Sequence, residues 1–150
     1  MVPVDGVPYG DPPQHVGYEF TIFNEQPIDL PCACGTEKAQ AATAQVTVSN
    51  GDPSKSYGIT LTFTNLNNTP PFKMTLSDNL PDPPSIAYQL FFNDTLVTAP
   101  GGSADWDNLS NSTFTKHIYV TGVNETTANS LPQGTYKDIV YVSITPNDTI

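Results

Sequence analysis

A chain of 150 residues with 37% hydrophobic side chains can bury one core without metals or a set of disulfides, so one domain with a short tail is expected. Its net charge of −10 at pH 7, with only five basic residues, all of them lysine, argues against a phosphate-binding surface and so against nucleic acid as a partner. No apolar run reaches the roughly 18 residues that span a bilayer, so membrane insertion is not expected. No charged-then-apolar leader opens the chain, and a signal peptide is expected to have been removed ahead of Met1.

Residues 1–14, MVPVDGVPYGDPPQ, are rich in proline and show no periodicity, which predicts an extended, flexible arm. In residues 15–26 the side chains of Val16, Tyr18, Phe20 and Ile22 alternate, the spacing that lines one face of a β-strand. Residues 36–44 (TEKAQAATA) predict at most one turn of helix, because alanine without caps or an apolar stripe is thin support for more. Alternating strands are predicted at Ala44 to Val48 and Tyr57 to Phe63, separated by the turn residues Asn50-Gly51-Asp52-Pro53. Phe72 to Leu76, Ile86 to Phe92 and Phe114 to Val120 continue the series. Tyr136 to Ile144 closes it, with β-branched residues on both faces. Seven or so short strands punctuated by Pro, Gly and Asn indicate an all-β protein. An Ig-like antiparallel β-sandwich over residues 27–150 leads, and a jelly roll shares the same local grammar.

Chemistry-bearing patterns are sparse. His15 and His117 fall in different contexts and no serine sits in a Gly-x-Ser-x-Gly turn, so no hydrolytic triad has a scaffold. Asp78, Asp82, Asp105 and Asp107 stand singly in turns without the spacing of a calcium loop. No catalytic, cofactor or metal site is expected, and the chain is not expected to be an enzyme. Asp105-Trp106-Asp107 is read as a tryptophan anchoring a loop against the sandwich, with a sugar or metal site as the alternative. Cys32 and Cys34 are too few for a disulfide framework or a zinc site. In an extended strand their Cα atoms lie near the upper limit for bridging, so a Cys32–Cys34 disulfide requires a locally bent backbone. Free thiols, or a bridge to another subunit, are the other readings, and a redox role is disfavoured without a basic neighbour. Asn-x-Ser/Thr triplets at Asn67, Asn93, Asn108, Asn111, Asn124 and Asn147 are glycosylation candidates that a chain rich in Asn and Thr also produces by chance.

The most distinctive stretch is Leu131-Pro132-Gln133-Gly134-Thr135-Tyr136-Lys137-Asp138, followed by the apolar run Ile139 to Thr145. It resembles the last strand of bacterial pilins of the spore-coat-U and archaic chaperone-usher group, with their Pro-x-Gly-x-Tyr-x-Asp turn. Ile86 to Phe91 is similar to the central Tyr-containing strand of that family, and Lys116 to Gly122 to its penultimate strand. Ser56 to Leu61 with Phe72 to Met74 resembles the strand and return before them. The resemblance covers roughly residues 30 to 145. One departure is Ser49, which occupies the place of the second cysteine that such pilins pair with one in the first strand.

The resemblance implies a sandwich lacking its seventh strand, completed by the N-terminal segment of the next subunit. Val16, Tyr18, Phe20 and Ile22 would then be the donor strand, with Ile28 and Leu30 offering a second register. Tyr136, Ile139, Val140, Tyr141, Val142 and Ile144 would form the acceptor groove strand, whose unpaired apolar edge demands cover. The partners expected on this basis are identical subunits in a head-to-tail homopolymer, with an assembly chaperone and usher, in an extracellular cell-surface filament. Residues 16–24 as the first strand of their own sandwich, a monomeric sugar-binding module and a viral capsid or decoration protein are the competing expectations.

Overall fold

The computed structural model describes residues 16–65, 69–77 and 80–147. Its strands are β1 (Gly17–Phe23), β2 (Ala39–Ser49), β3 (Tyr57–Thr64), β4 (Phe72–Leu76), β5 (Ser85–Phe92), β6 (Thr95–Val97), β7 (Gly102–Leu109), β8 (Thr113–Thr121), β9 (Tyr136–Lys137) and β10 (Tyr141–Pro146). A 3-10 turn at Leu30–Ala33 and a short helix, α1 (Glu125–Ser130), complete the elements.

Period-2 alternation sorts these strands into two facing layers. One sheet runs β1-β2-β8-β5-β4-β9 with β6 also on β5, and the other runs β10-β3-β7. All the strand pairs are antiparallel. Ile59, Leu61 and Phe63 of β3 are fully buried against Val46, Ile86 and Phe92 of the larger sheet. Phe92 anchors the centre, its ring 5.3 Å from Trp106 and 6.1 Å from Phe63. The result is an Ig-like antiparallel β-sandwich.

Two chain crossings fix how the layers are stacked. The β2–β3 and β7–β8 connections meet at one end, where the Asn111 side chain accepts from the Gly51 N–H at 2.7 Å and donates to the Gly51 carbonyl at 2.6 Å. β7 lies across from β5 and β8, where Trp106 meets Phe92 and Lys116, and β2 lies beyond β8 in one sheet as β3 lies beyond β7 in the other. Extending that order by one strand leaves β1 and β10 outermost on the same side of the sandwich.

Four sequence expectations change. Residues 36–44 do not form a helical turn. β2 instead begins at Ala39, because Ala39, Ala42 and Ala44 are small enough to sit buried where β8 pairs on one side, while β1 pairs alongside Thr43 to Ser49. Trp106 lies within β7 and not in a loop. The helix α1 was not expected, although Asn124 caps it with a side-chain oxygen that accepts from the Thr127 N–H at 2.9 Å. Finally, the strand expected from Tyr136 to Ile144 is two strands in different sheets. Lys137 pairs with Thr75, Tyr141 pairs with Thr64, and Asp138 to Val140 cross between the layers. The crossing is pinned by Tyr88, a buried β5 residue whose hydroxyl donates to the Asp138 carboxylate. The arm at 1–14 and residue His15 lie outside the described residues, as do Asn67 and Asp78.

Candidate interaction site on the open side of the sandwich

Among the described residues β1 pairs with β2 and β10 with β3, so each turns its other edge to the side they share. A free edge offers unpaired N–H and C=O groups to any strand that can reach it. The inward faces of both strands are apolar yet incompletely covered. From β1 and the residue before it, Val16, Tyr18, Phe20 and Ile22 pack half-buried against the core, and from β10 Val142 and Ile144 do the same, with Val140 just ahead of them.

The donor candidates are therefore together on one face, as their alternation requires. In the isolated chain they form the first strand of their own sandwich, in register from Gly17↔Ser49 to Phe23↔Thr43. The backbone N–H of Gln26 donates to the Ala41 carbonyl at 3.0 Å, so the β1–β2 connection is anchored up to Gln26. The acceptor candidates divide. Val140, Val142 and Ile144 face the core, whereas Ile139 and Tyr141 are 65% and 51% exposed. Tyr136 belongs to β9, opposite Leu76, and its hydroxyl donates to the Pro132 carbonyl at 2.7 Å.

Elsewhere the candidates do not assemble a chemical centre. Trp106 is 2% exposed, so its ring cannot stack on a sugar, and Asp105 accepts from the Thr60 hydroxyl at 2.9 Å. His117 lies beside Thr43, with 3.3 Å between Nδ1 and Oγ1. Among the described residues no three His, Cys, Asp or Glu side chains gather as metal ligands. No helix among them is long and apolar enough to cross a membrane. Cys32 is exposed on the 3-10 turn and Cys34 is half-buried, both unbridged, although that turn supplies the bend a Cys-x-Cys bridge needs. The Cys34 thiol donates to the Leu30 carbonyl at 3.3 Å, and burial, with the Glu125 carboxylate, raises its pKa. Cys34 also lines an open cleft of about 490 Å³ with Gly35, Gly122, Val123, Asn124 and Glu125, which brings no basic group to the thiol.

The sequon asparagines differ in what their amides already do. Asn111 is spent on Gly51, and Asn147 donates through Nδ2 to the Thr60 hydroxyl at 2.6 Å. Asn124 is the helix cap, while Asn93 in the β5–β6 turn and Asn108 within β7 have left-handed backbones at φ 55° and 62°.

Structural comparison places the P pilus rod subunit PapA beside this chain, with a TM-score of 0.52 and 13% identity over 85% of this chain and 99% of PapA. The fold is that of a pilus subunit. The E. coli Hda pilus minor tip subunit HdaB is also similar, with a TM-score of 0.45 and 10% identity over 84% of this chain and 79% of its own. A chain from a CFA/I fimbrial chaperone–tip adhesin complex has a TM-score of 0.45 and 9% identity over 85% of this chain and 42% of its own. The fold assignment rests on the first of these. No family model matches the chain, and no characterised protein is significantly similar in sequence. The expected resemblance to chaperone-usher pilins thus holds at the level of fold.

Proposed function

We propose that this chain is a non-enzymatic structural subunit of an extracellular filament and that its subunits join by exchanging an N-terminal strand. One observation carries the proposal: two free-edged strands, β1 and β10, flank the same side of the sandwich with half-covered apolar faces. In the filament, residues 15–26 of one subunit leave their own β2 and insert into the next subunit, pairing with its β2 and closing on its β10. Gln26 is the last residue of the anchored segment and Ala33 is held by the Val123 N–H at 3.1 Å, so the hinge lies between them and contains Pro27. Short hinges favour exchange between chains over folding back. Because donor and acceptor are different surfaces, the contact is head-to-tail and propagates as an open filament.

Backbone ladders at both edges would supply affinity, and the pockets for Tyr18, Phe20 and Ile22 would set register. An assembly chaperone and usher are natural partners, since the same open side needs cover before assembly. Surface attachment and biofilm formation are the roles such a filament serves. The test is a truncation starting at Glu25, compared with the full chain by electron microscopy. Filaments from the full chain and none from the truncation support the proposal, and equal filaments from both refute it.

A further inference from the structure

The sandwich has a second open flank, opposite β1 and β10. β8 pairs with β5 only from Ile118 to Thr121, and the N–H of Asn93 donating to the His117 carbonyl at 2.9 Å ends that contact. From Thr113 to Lys116, β8 is paired among the described residues on its β2 side alone. Across the gap β7 pairs with β3 among the described residues, and β6 lies against it near Gly102, beside Val97. The edge of β8 from Thr113 to Lys116 and the part of β7 beyond β6 leave room for a short strand, and a subunit with two accepting flanks would branch or aggregate.

The side chains separate the two flanks. On the β1–β10 side every inward position is apolar: Val16, Tyr18, Phe20, Ile22, Val142 and Ile144. On the far flank the inward row of β8 reads Phe114, Lys116, Ile118, Val120, so a lysine stands where the alternation calls for an apolar residue. Its ammonium lies 5.5 Å from the centroid of Trp106 and 5.7 Å from that of Phe92, both rings buried. It is half-buried, with its stem over the aromatic core and its charge at the flank opening.

We propose that Lys116 determines which flank takes a strand: its inward-facing charge blocks addition at the β7–β8 flank and leaves the β1–β10 flank as the single acceptor. A strand docking at β8 would have to strip water from this ammonium, and no such charge opposes docking beside β10. The inference rests on the filament reading, and the experiment keeps the two apart.

Lys116→Leu, Lys116→Gln and Lys116→Arg are made in the full chain, alone and together with Ile144→Asp, which disables the β10 flank. Far-UV circular dichroism confirms the fold, and sedimentation measures assembly. With Ile144→Asp present, Lys116→Leu and Lys116→Gln are expected to raise the pelleted fraction by about tenfold or more, the ratio that about 1.4 kcal/mol provides, while Lys116→Arg does not. Pelleting of the two uncharged variants no greater than that of Ile144→Asp alone overturns the proposal. Failure of the filament reading would appear separately, as an Ile144→Asp protein that assembles like the wild type.

Discussion

Ile144→Asp distinguishes a docking face from an ordinary core position, because the cost of the change differs between the isolated chain and the filament. In the isolated chain Ile144 is half-buried opposite Leu61. Full burial of an isoleucine is worth about 1.5–3 kcal/mol, so losing half of it costs the fold roughly 1 kcal/mol, and the new carboxylate stays partly wet. In the filament an inserted strand covers the site. The carboxylate is then buried without a partner, at about 3 kcal/mol or more per contact. A loss of that size lowers the subunit association constant by about 100-fold. Thermal unfolding should show a folded protein with a modestly lowered Tm, and electron microscopy at the wild-type concentration should show no fibres. Wild-type fibre yield from a folded Ile144→Asp protein would refute the assignment of β10 as acceptor.

Three further outcomes follow from the geometry. Tyr88→Phe removes the hydroxyl that holds Asp138 and should cost about 1.5–3 kcal/mol in denaturant unfolding, the usual value for a hydrogen bond to a charged group. Burial first, and the Asp138 carboxylate second, raise the Tyr88 pKa above its unfolded value of about 10. The stability this provides is complete below pH about 10 and is lost as pH rises further, so the alkaline decline of the wild type should be shallower in Tyr88→Phe. Asn111→Ala deletes both bonds to Gly51 and should lower stability by about 1–3 kcal/mol, measured by the urea midpoint at unchanged slope. Timed alkylation at pH 8 read by mass spectrometry should modify the exposed Cys32 well before Cys34, whose thiol is part-covered and raised in pKa; equal rates would contradict the burial.

Much of the sandwich could be read from the chain, because half-buried strands write their period directly into the residue order. Tyr57 to Phe63 and Ile86 to Phe92 alternate cleanly, and both are strands with buried inward rows. The misses share a cause: tertiary partners overrode local signals. The alanines of β2 read as helix formers until β8, joined over most of the strand by β1, holds them extended. The polar residues flanking Trp106 read as a loop, yet they are the solvent side of a strand whose other side is core. The break at Asp138 is invisible to periodicity because its cause, Tyr88, lies 50 residues upstream. The open flank itself was only half legible. The apolar faces of β1 and β10 are plain in the residues, whereas their placement on one side depends on how two connections cross at Asn111. The alternation of Phe114, Lys116, Ile118 and Val120 already puts Lys116 on the inward row, whereas its place at a flank beside Trp106 and Phe92 came only from the strand pairing.

Strand exchange is tested most directly by asking whose β1 pairs with whose β2. Glu19 and Thr47 stand directly opposite one another in the β1–β2 register, at the spacing where paired cysteines can bridge. With Cys32 and Cys34 replaced by serine, Glu19→Cys and Thr47→Cys are combined in one chain, assembled, oxidised and run on denaturing gels without reductant. Exchange between subunits is expected to give a ladder of covalent oligomers that collapses to monomer on reduction. A protein that forms filaments yet yields only internally bridged monomer would contradict it.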